Sequence, residues 1–200
     1  EIANHTCGHF DGKKWSREQW ASEFKSFDDL LANAFANINA GYEPNGWREF
    51  VRQGIQGFRA PYLSTSPALY QALTKRGFIY DASGIERETS GARMIAGLAR
   101  FSLPMIPEGP SKRRIVAMDY NLFVRHSGGF ERTSDSAAFE QRSYEAFHDA
   151  FEAQYKGNRN PVQIGMHFTL MNGGAYWRAM ERLVREVCVK PDVECTTYSR

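Results

Sequence analysis

The sequence predicts an α/β fold with a largely parallel sheet, on three observations. From residue 55 onward, apolar runs of strand length alternate with stretches of helical periodicity, in the order strand, helix, strand, loop, strand, helix, strand, helix, strand. Gly and Pro punctuate the joints between them. The 200 residues are 42% hydrophobic and 14% aromatic, enough for one domain, residues 1–200, with a substantial core.

Each element has its own signal. Ser16 is a natural N-cap and Gln19 completes a capping box. Trp20, Phe24, Phe27, Leu30, Leu31, Ala34 and Phe35 recur at helical spacing, so a long helix is expected to run to about Ile38, where Gly41 to Gly46 break it. That aromatic stripe is core. Ile55–Arg59 reads as a short strand stopped by Pro61, which has no N–H for a ladder. Pro67 opens a helix that Gly77 closes, and Phe78–Asp81 is the next strand, giving a β-α-β unit. Residues 83–110 read as irregular, with Gly and Pro near both ends. Ile115–Tyr120 follows as a strand containing Asp119, then a loop over 126–136 and a helix over 137–155. Val162–Phe168 is a strand, 175–188 a closing helix, and Val193–Thr197 a last strand.

Charge and composition exclude some functions. A net charge of +2, with no basic stripe, argues against nucleic acid as the main partner. No apolar run reaches the length of a membrane span, and no signal-peptide pattern opens the chain. Three cysteines do not make a disulfide framework. Cys188 and Cys195 can bridge the last helix to the segment after it, or all three thiols can be reduced. The compartment stays open on this ground.

The chemistry-bearing residues lie in three places. His5 and His9, four residues apart, can face one way across a helical turn, the spacing of a two-histidine metal clamp. Two such imidazoles are by themselves a common pair of polar residues. Arg59-Ala60-Pro61-Tyr62 brings a cation at a strand end, and Met166-His167 brings a histidine at another. Read alone, Arg59 can be an ion-pair residue, Asp119 a turn cap and His167 a core histidine. His126 and His148 carry no motif, and His148 among acids reads as solvated. Asn4-His5-Thr6 has the form of a glycosylation sequon, but its place beside the clamp argues against modification.

In order and spacing, His5-Thr6-Cys7-Gly8-His9, Arg59-Ala60-Pro61-Tyr62 and Met166-His167 resemble the motifs of the NodB-like polysaccharide deacetylases, carbohydrate esterase family 4. The resemblance covers most of the chain and implies an irregular (β/α) barrel. It implies one divalent metal ion, Zn²⁺ first with Co²⁺ or similar ions as alternatives, held by His5 and His9. Cys7 lies between them and is a weaker ligand. It implies His167 as the acid that protonates a leaving amine, and Asp119 as the carboxylate that orients it. Arg59 corresponds to the residue that holds the catalytic base, and the backbone N–H of Tyr62 to an oxyanion donor. The implied partner is an N-acetylated oligo- or polysaccharide such as chitin or peptidoglycan, met outside the cytoplasm.

The sequence also departs from that pattern. The family's aspartate pair, one base and one third metal ligand, is expected upstream of Glu1, on about 60–80 further residues of a β-α-β unit and its flanks. Those residues can belong to the same polypeptide or to a separate fragment. Glu1-Ile2-Ala3 reads as the end of a strand, leaving this chain without the barrel's first strand or strands. Asp28-Asp29 lies inside the first helix and is no substitute. Tyr120-Asn121-Leu122-Phe123 stands where a Trp is expected, and Gly165 where a Leu is expected two residues before His167. Two alternatives therefore stand beside an amide-cleaving deacetylase: a non-catalytic carbohydrate-binding protein and an O-acetyl esterase.

Overall fold

The computed structural model describes Glu1–Arg200 and is mixed α/β. The chain forms two compact units. The first comprises Glu1–Gly84, Ala92–Phe101 and Thr197–Arg200; the second comprises Ile85–Gly91 and Ser102–Thr196. No helix is long and apolar enough to cross a membrane.

In the first unit, helix α1 (Arg17–Ala32) begins as its capping box dictates. Ser16 Oγ accepts from Gln19 N–H, and the Gln19 side chain accepts from Ser16 N–H. The helix does not reach Ile38. Asn33 ends it, its side-chain amide donating to the Asp29 carbonyl, and a single turn α2 (Ala34–Asn37) follows. Asn competes with the helix for backbone partners, which is why apolar periodicity alone overran the end. A further helix, α3 (Trp47–Gln53), had no distinct sequence signal.

Strand β1 (Gly57–Phe58) pairs in parallel with β2 (Tyr80–Glu86) around helix α4 (Pro67–Arg76), so the β-α-β unit is present. Ser66 caps α4, Pro67 opens it, and Gly77 closes it at φ +85°. Gly57 is required for the pairing, since a Cβ there would fall 1.8 Å from the Tyr80 ring. Trp20, Phe24, Phe58, Leu69, Leu73 and Phe78 form this unit's core.

Residues 83–110 are not irregular. They contain β3 (Arg93–Ile95) and β4 (Leu98–Glu108), an antiparallel hairpin closed by Ala96 and Gly97, both at positive φ. Ala99 N–H donates to the Ile79 carbonyl beside the start of β2. Pro104 and Pro107 both lie within β4; Pro104 serves as an acceptor only, taking the Ala117 N–H at 2.9 Å. The pairing is therefore mixed, not largely parallel.

In the second unit, β4 pairs antiparallel with β5 (Arg113–Val116). The expected strand to Tyr120 stops there, and Asp119 opens helix α5 (Asp119–Ser127), closed by Gly128 at φ +68°. Residues 126–127 thus belong to a helix. Helix α6 (Ser136–Tyr155) packs on α7 (Met171–Val187), whose regular part begins after Gly174. The core joins Leu122, Phe139, Phe147, Tyr176 and Leu183. Residues 162–168 make one parallel bridge, Met118 to Gly165, and 193–197 form no strand. Cys195 is instead disulfide-bonded to Cys188. Cys7 is free and exposed.

Candidate functional site

The histidine pair lies in the first unit, on a loop and not on a helix. Asn4 anchors it to β1: Asn4 N–H donates to Gly57 O, and Arg59 N–H donates to Asn4 O. Beyond Asn4 the turn is built from short side chains. Asn4 Oδ1 accepts from Thr6 N–H, Thr6 Oγ1 accepts from His9 N–H, and the Glu23 carboxylate of α1 accepts from Cys7 and Gly8 N–H. These bonds hold Thr6 and His9 at φ +62° and +51°. Left-handed non-glycine residues carry strain that persists only where surrounding contacts fix them, often at functional sites. The result brings the two imidazoles together edge to face, with ring centroids 5.0 Å apart.

The second motif supports the first. The Arg59 carbonyl accepts His5 Nδ1–H at 2.7 Å, which assigns the ring proton to Nδ1 and the lone pair to Nε2. The Arg59 guanidinium turns elsewhere, with Nε on the Ala82 carbonyl at 2.8 Å and Nη2 on the Tyr198 hydroxyl at 3.0 Å. Tyr62 sits in a 3-10 turn at φ +56°, with an exposed ring 5.3 Å from that of His9. The donor set fits a divalent metal in kind: two imidazoles, one with its outer hydrogen bond to backbone already made. In number it supplies two ligands, for no third His, Cys, Asp or Glu joins them.

One residue of this unit escaped the sequence reading. Asp81, opposite Phe58 on β2, is fully buried. Burial pushes its carboxyl up to about 6, while the Ser83 hydroxyl and N–H and the Arg100 and Arg59 guanidiniums pull it down. The available signal was a carboxylate closing the apolar run Phe78-Ile79-Tyr80.

The third motif lies in the second unit. Asp119 is fully buried at the start of α5 and holds His167 at two points. Its Oδ2 accepts the His167 backbone N–H and its Oδ1 accepts Nδ1–H, both at 2.6 Å; Oδ1 also takes Tyr120 N–H at 2.7 Å. The backbone converges here because Gly165 N–H donates to Ala117 O and Asp119 N–H donates to Gly165 O. A Cβ at Gly165 would lie 3.0 Å from Met118 Cε, so a larger residue here would require that side chain to shift. Trp177, from α7, donates its indole N–H to the His167 carbonyl at 2.9 Å. The ring is thus oriented with Nδ1 tied to a carboxylate and Nε2 as its proton-exchanging nitrogen.

His126, which had no motif, is buried on α5 and bonded through Nε2 to Glu108 Oε1 at 3.0 Å. Burial pulls His126 below its ordinary value, although Glu108 acts in the other direction. His148 is bonded to Glu186 on the second unit's surface.

The fold is similar to that of a solved structure described as a "putative polysaccharide deacetylase" from Mycobacterium smegmatis. The match has a TM-score of 0.60 at 16% identity and covers all of this chain and 60% of the other. The present chain therefore spans about 60% of that protein's chain, and the likeness is one of fold. No protein-family model matches the sequence, and no curated protein matches it.

Proposed function

We propose that this chain is the greater part of a metal-dependent deacetylase domain that removes acetyl groups from N-acetylated sugars of a polysaccharide. The observation that carries the reading is the two-point hold of Asp119 on His167, the arrangement of an oriented general acid. The fold likeness to a protein described as a polysaccharide deacetylase supports it. So does the imidazole pair, in which the Arg59 carbonyl fixes the tautomer of His5.

In this reading His5 and His9 would hold one divalent ion, Zn²⁺ first. When bound, such an ion polarises the acetamide carbonyl and lowers the pKa of water. His167 gives the Nε2 proton to the departing amine, and buried Asp119 stabilises the imidazolium while the proton is held. The Tyr62 backbone N–H is the oxyanion donor. Arg59 positions His5 through its carbonyl. In this reading the third ligand and the catalytic base are an aspartate pair, as the motif resemblance implies.

One observation favours a non-catalytic carbohydrate-binding protein instead: the histidine pair has no third protein ligand. Zinc titration followed by acetate release from N-acetylglucosamine oligomers, run on protein that includes the aspartate pair, separates the two. The enzyme reading expects about one Zn²⁺ per molecule, lost in His5→Ala and His9→Ala. It also expects acetate release that falls 10²–10⁴-fold in His167→Ala with zinc retained. Zinc binding that survives both histidine substitutions, or acetate release indifferent to His167, sinks it.

A further inference from the structure

A second candidate site lies in the first unit, in a groove of about 830 Å³ beside helix α4. Its wall is the outward face of α4, carrying Pro67, Tyr70, Gln71, Thr74 and Lys75 at helical spacing. The opposite face of the same helix buries Leu69, Ala72 and Leu73 in the core. Across the groove stand Ala96 of the β3–β4 turn and Arg100 of β4.

Arg100 is held in an unusual way. Its guanidinium carbon lies 3.4 Å from the Tyr70 ring centroid, in cation–π contact, and its Nε is buried without a hydrogen-bond partner. A guanidinium so held is preorganised, with its planar donor edge set in place before a ligand arrives. Lys75 adds a second cation on the same groove, and Arg93 faces Arg100 across the hairpin. No carboxylate lines the groove. The acid closest in influence, Asp81, is buried and engaged with Ser83.

Neutral donors complete the lining. Ser66 Oγ accepts from Leu69 N–H, so its own hydrogen is available as a donor, and the Gln71 amide is exposed. Pro67, Ala96 and the aliphatic stem of Lys75 give an apolar floor. Cations without a lining acid select an anionic group; hydroxyl and amide groups over an apolar floor suit a polyhydroxylated body.

We propose that this groove binds an acidic saccharide, its anionic group held between Arg100 and Lys75. The anion is a sugar carboxylate or a phosphate ester, two groups of shared chemistry that the experiment separates. The inference uses no part of the hydrolytic reading and stands if that reading fails.

The test is calorimetric titration of the protein with glucuronic acid, glucose 6-phosphate, inorganic phosphate and neutral N-acetylglucosamine. Saturable binding of either acidic sugar, weakened at least tenfold in both Arg100→Gln and Lys75→Gln, supports the site, and the sugar that binds identifies the anion. Lys75 is exposed, so Lys75→Gln keeps the fold and serves even where Arg100→Gln loosens β4. Three results overturn the proposal: no acidic sugar binds, the neutral sugar or inorganic phosphate binds as well as the acidic ones, or Lys75→Gln leaves their binding unchanged.

Discussion

Replacing Asp81 with Asn should stabilise the first unit at neutral pH. The buried carboxyl titrates at about 6 against an ordinary 3.8. Below 3.8 both folded and unfolded chains hold the proton, and the group contributes no penalty. As pH rises from 3.8 to about 6, the unfolded chain releases the proton first, so stability falls; above about 6 the loss is complete. At 1.36 kcal/mol for each pH unit, the loss is about 3 kcal/mol. The amide oxygen of the Asp81→Asn variant would still accept from the Ser83 hydroxyl, and because the shift to about 6 is already net of the stronger bond to the carboxylate, the gain at pH 8 should be about 3 kcal/mol. Urea unfolding of both forms at pH 5 and pH 8, followed by tryptophan emission, measures it; fully buried Trp20 reports on the same unit. The wild type should lose stability between the two pH values and the variant should not. Equal declines in both, or a less stable variant at pH 8, would refute the burial argument.

The other predictions concern the second unit. Asp119→Ala removes the acceptor of three N–H groups in a buried place, so stability should drop by about 3 kcal/mol in a thermal melt. Asp119→Asn should recover part of that stability but little of any acetate release, because one amide face cannot accept from His167. Reducing the Cys188–Cys195 bridge, which closes a loop seven residues apart in sequence, should cost about 2–3 kcal/mol by chain entropy. Melting the Cys188→Ser/Cys195→Ser protein with and without reductant checks it: the wild type should fall to the variant's value, and the variant should not move.

What the sequence made legible was whatever is decided locally. Ser16 with Gln19, and Pro67 with Gly77, mark helix ends through bonds spanning three or four residues, and those ends fell where expected. Strand β4 was hidden because Pro104 and Pro107 break ladders only where an N–H is needed, and partners far along the chain decide that. His126 was illegible for the same reason: its burial rests on Glu108, eighteen positions away and on another element. At the site, the residue types could be read but not their supports. The helical spacing of His5 and His9 proved incidental, since the loop is shaped by Asn4, Thr6 and Glu23. Asp81 carried only a weak signal, because what distinguishes it is loss of water and not a motif.

The bond from His5 to the Arg59 carbonyl has a consequence for how position 59 reads in a mutational scan. The acceptor is main chain, so all twenty amino acids supply it. A scan of side chains at 59 reports on the guanidinium's grip on Ala82 and Tyr198 and is blind to the tautomer of His5. The determinant of that tautomer is the path of the chain through Phe58-Arg59-Ala60, set by the Phe58–Asp81 register and by the Ser83 hydroxyl bound to Ala60 N–H. Substitutions that move the tautomer therefore belong at positions that never touch the imidazole.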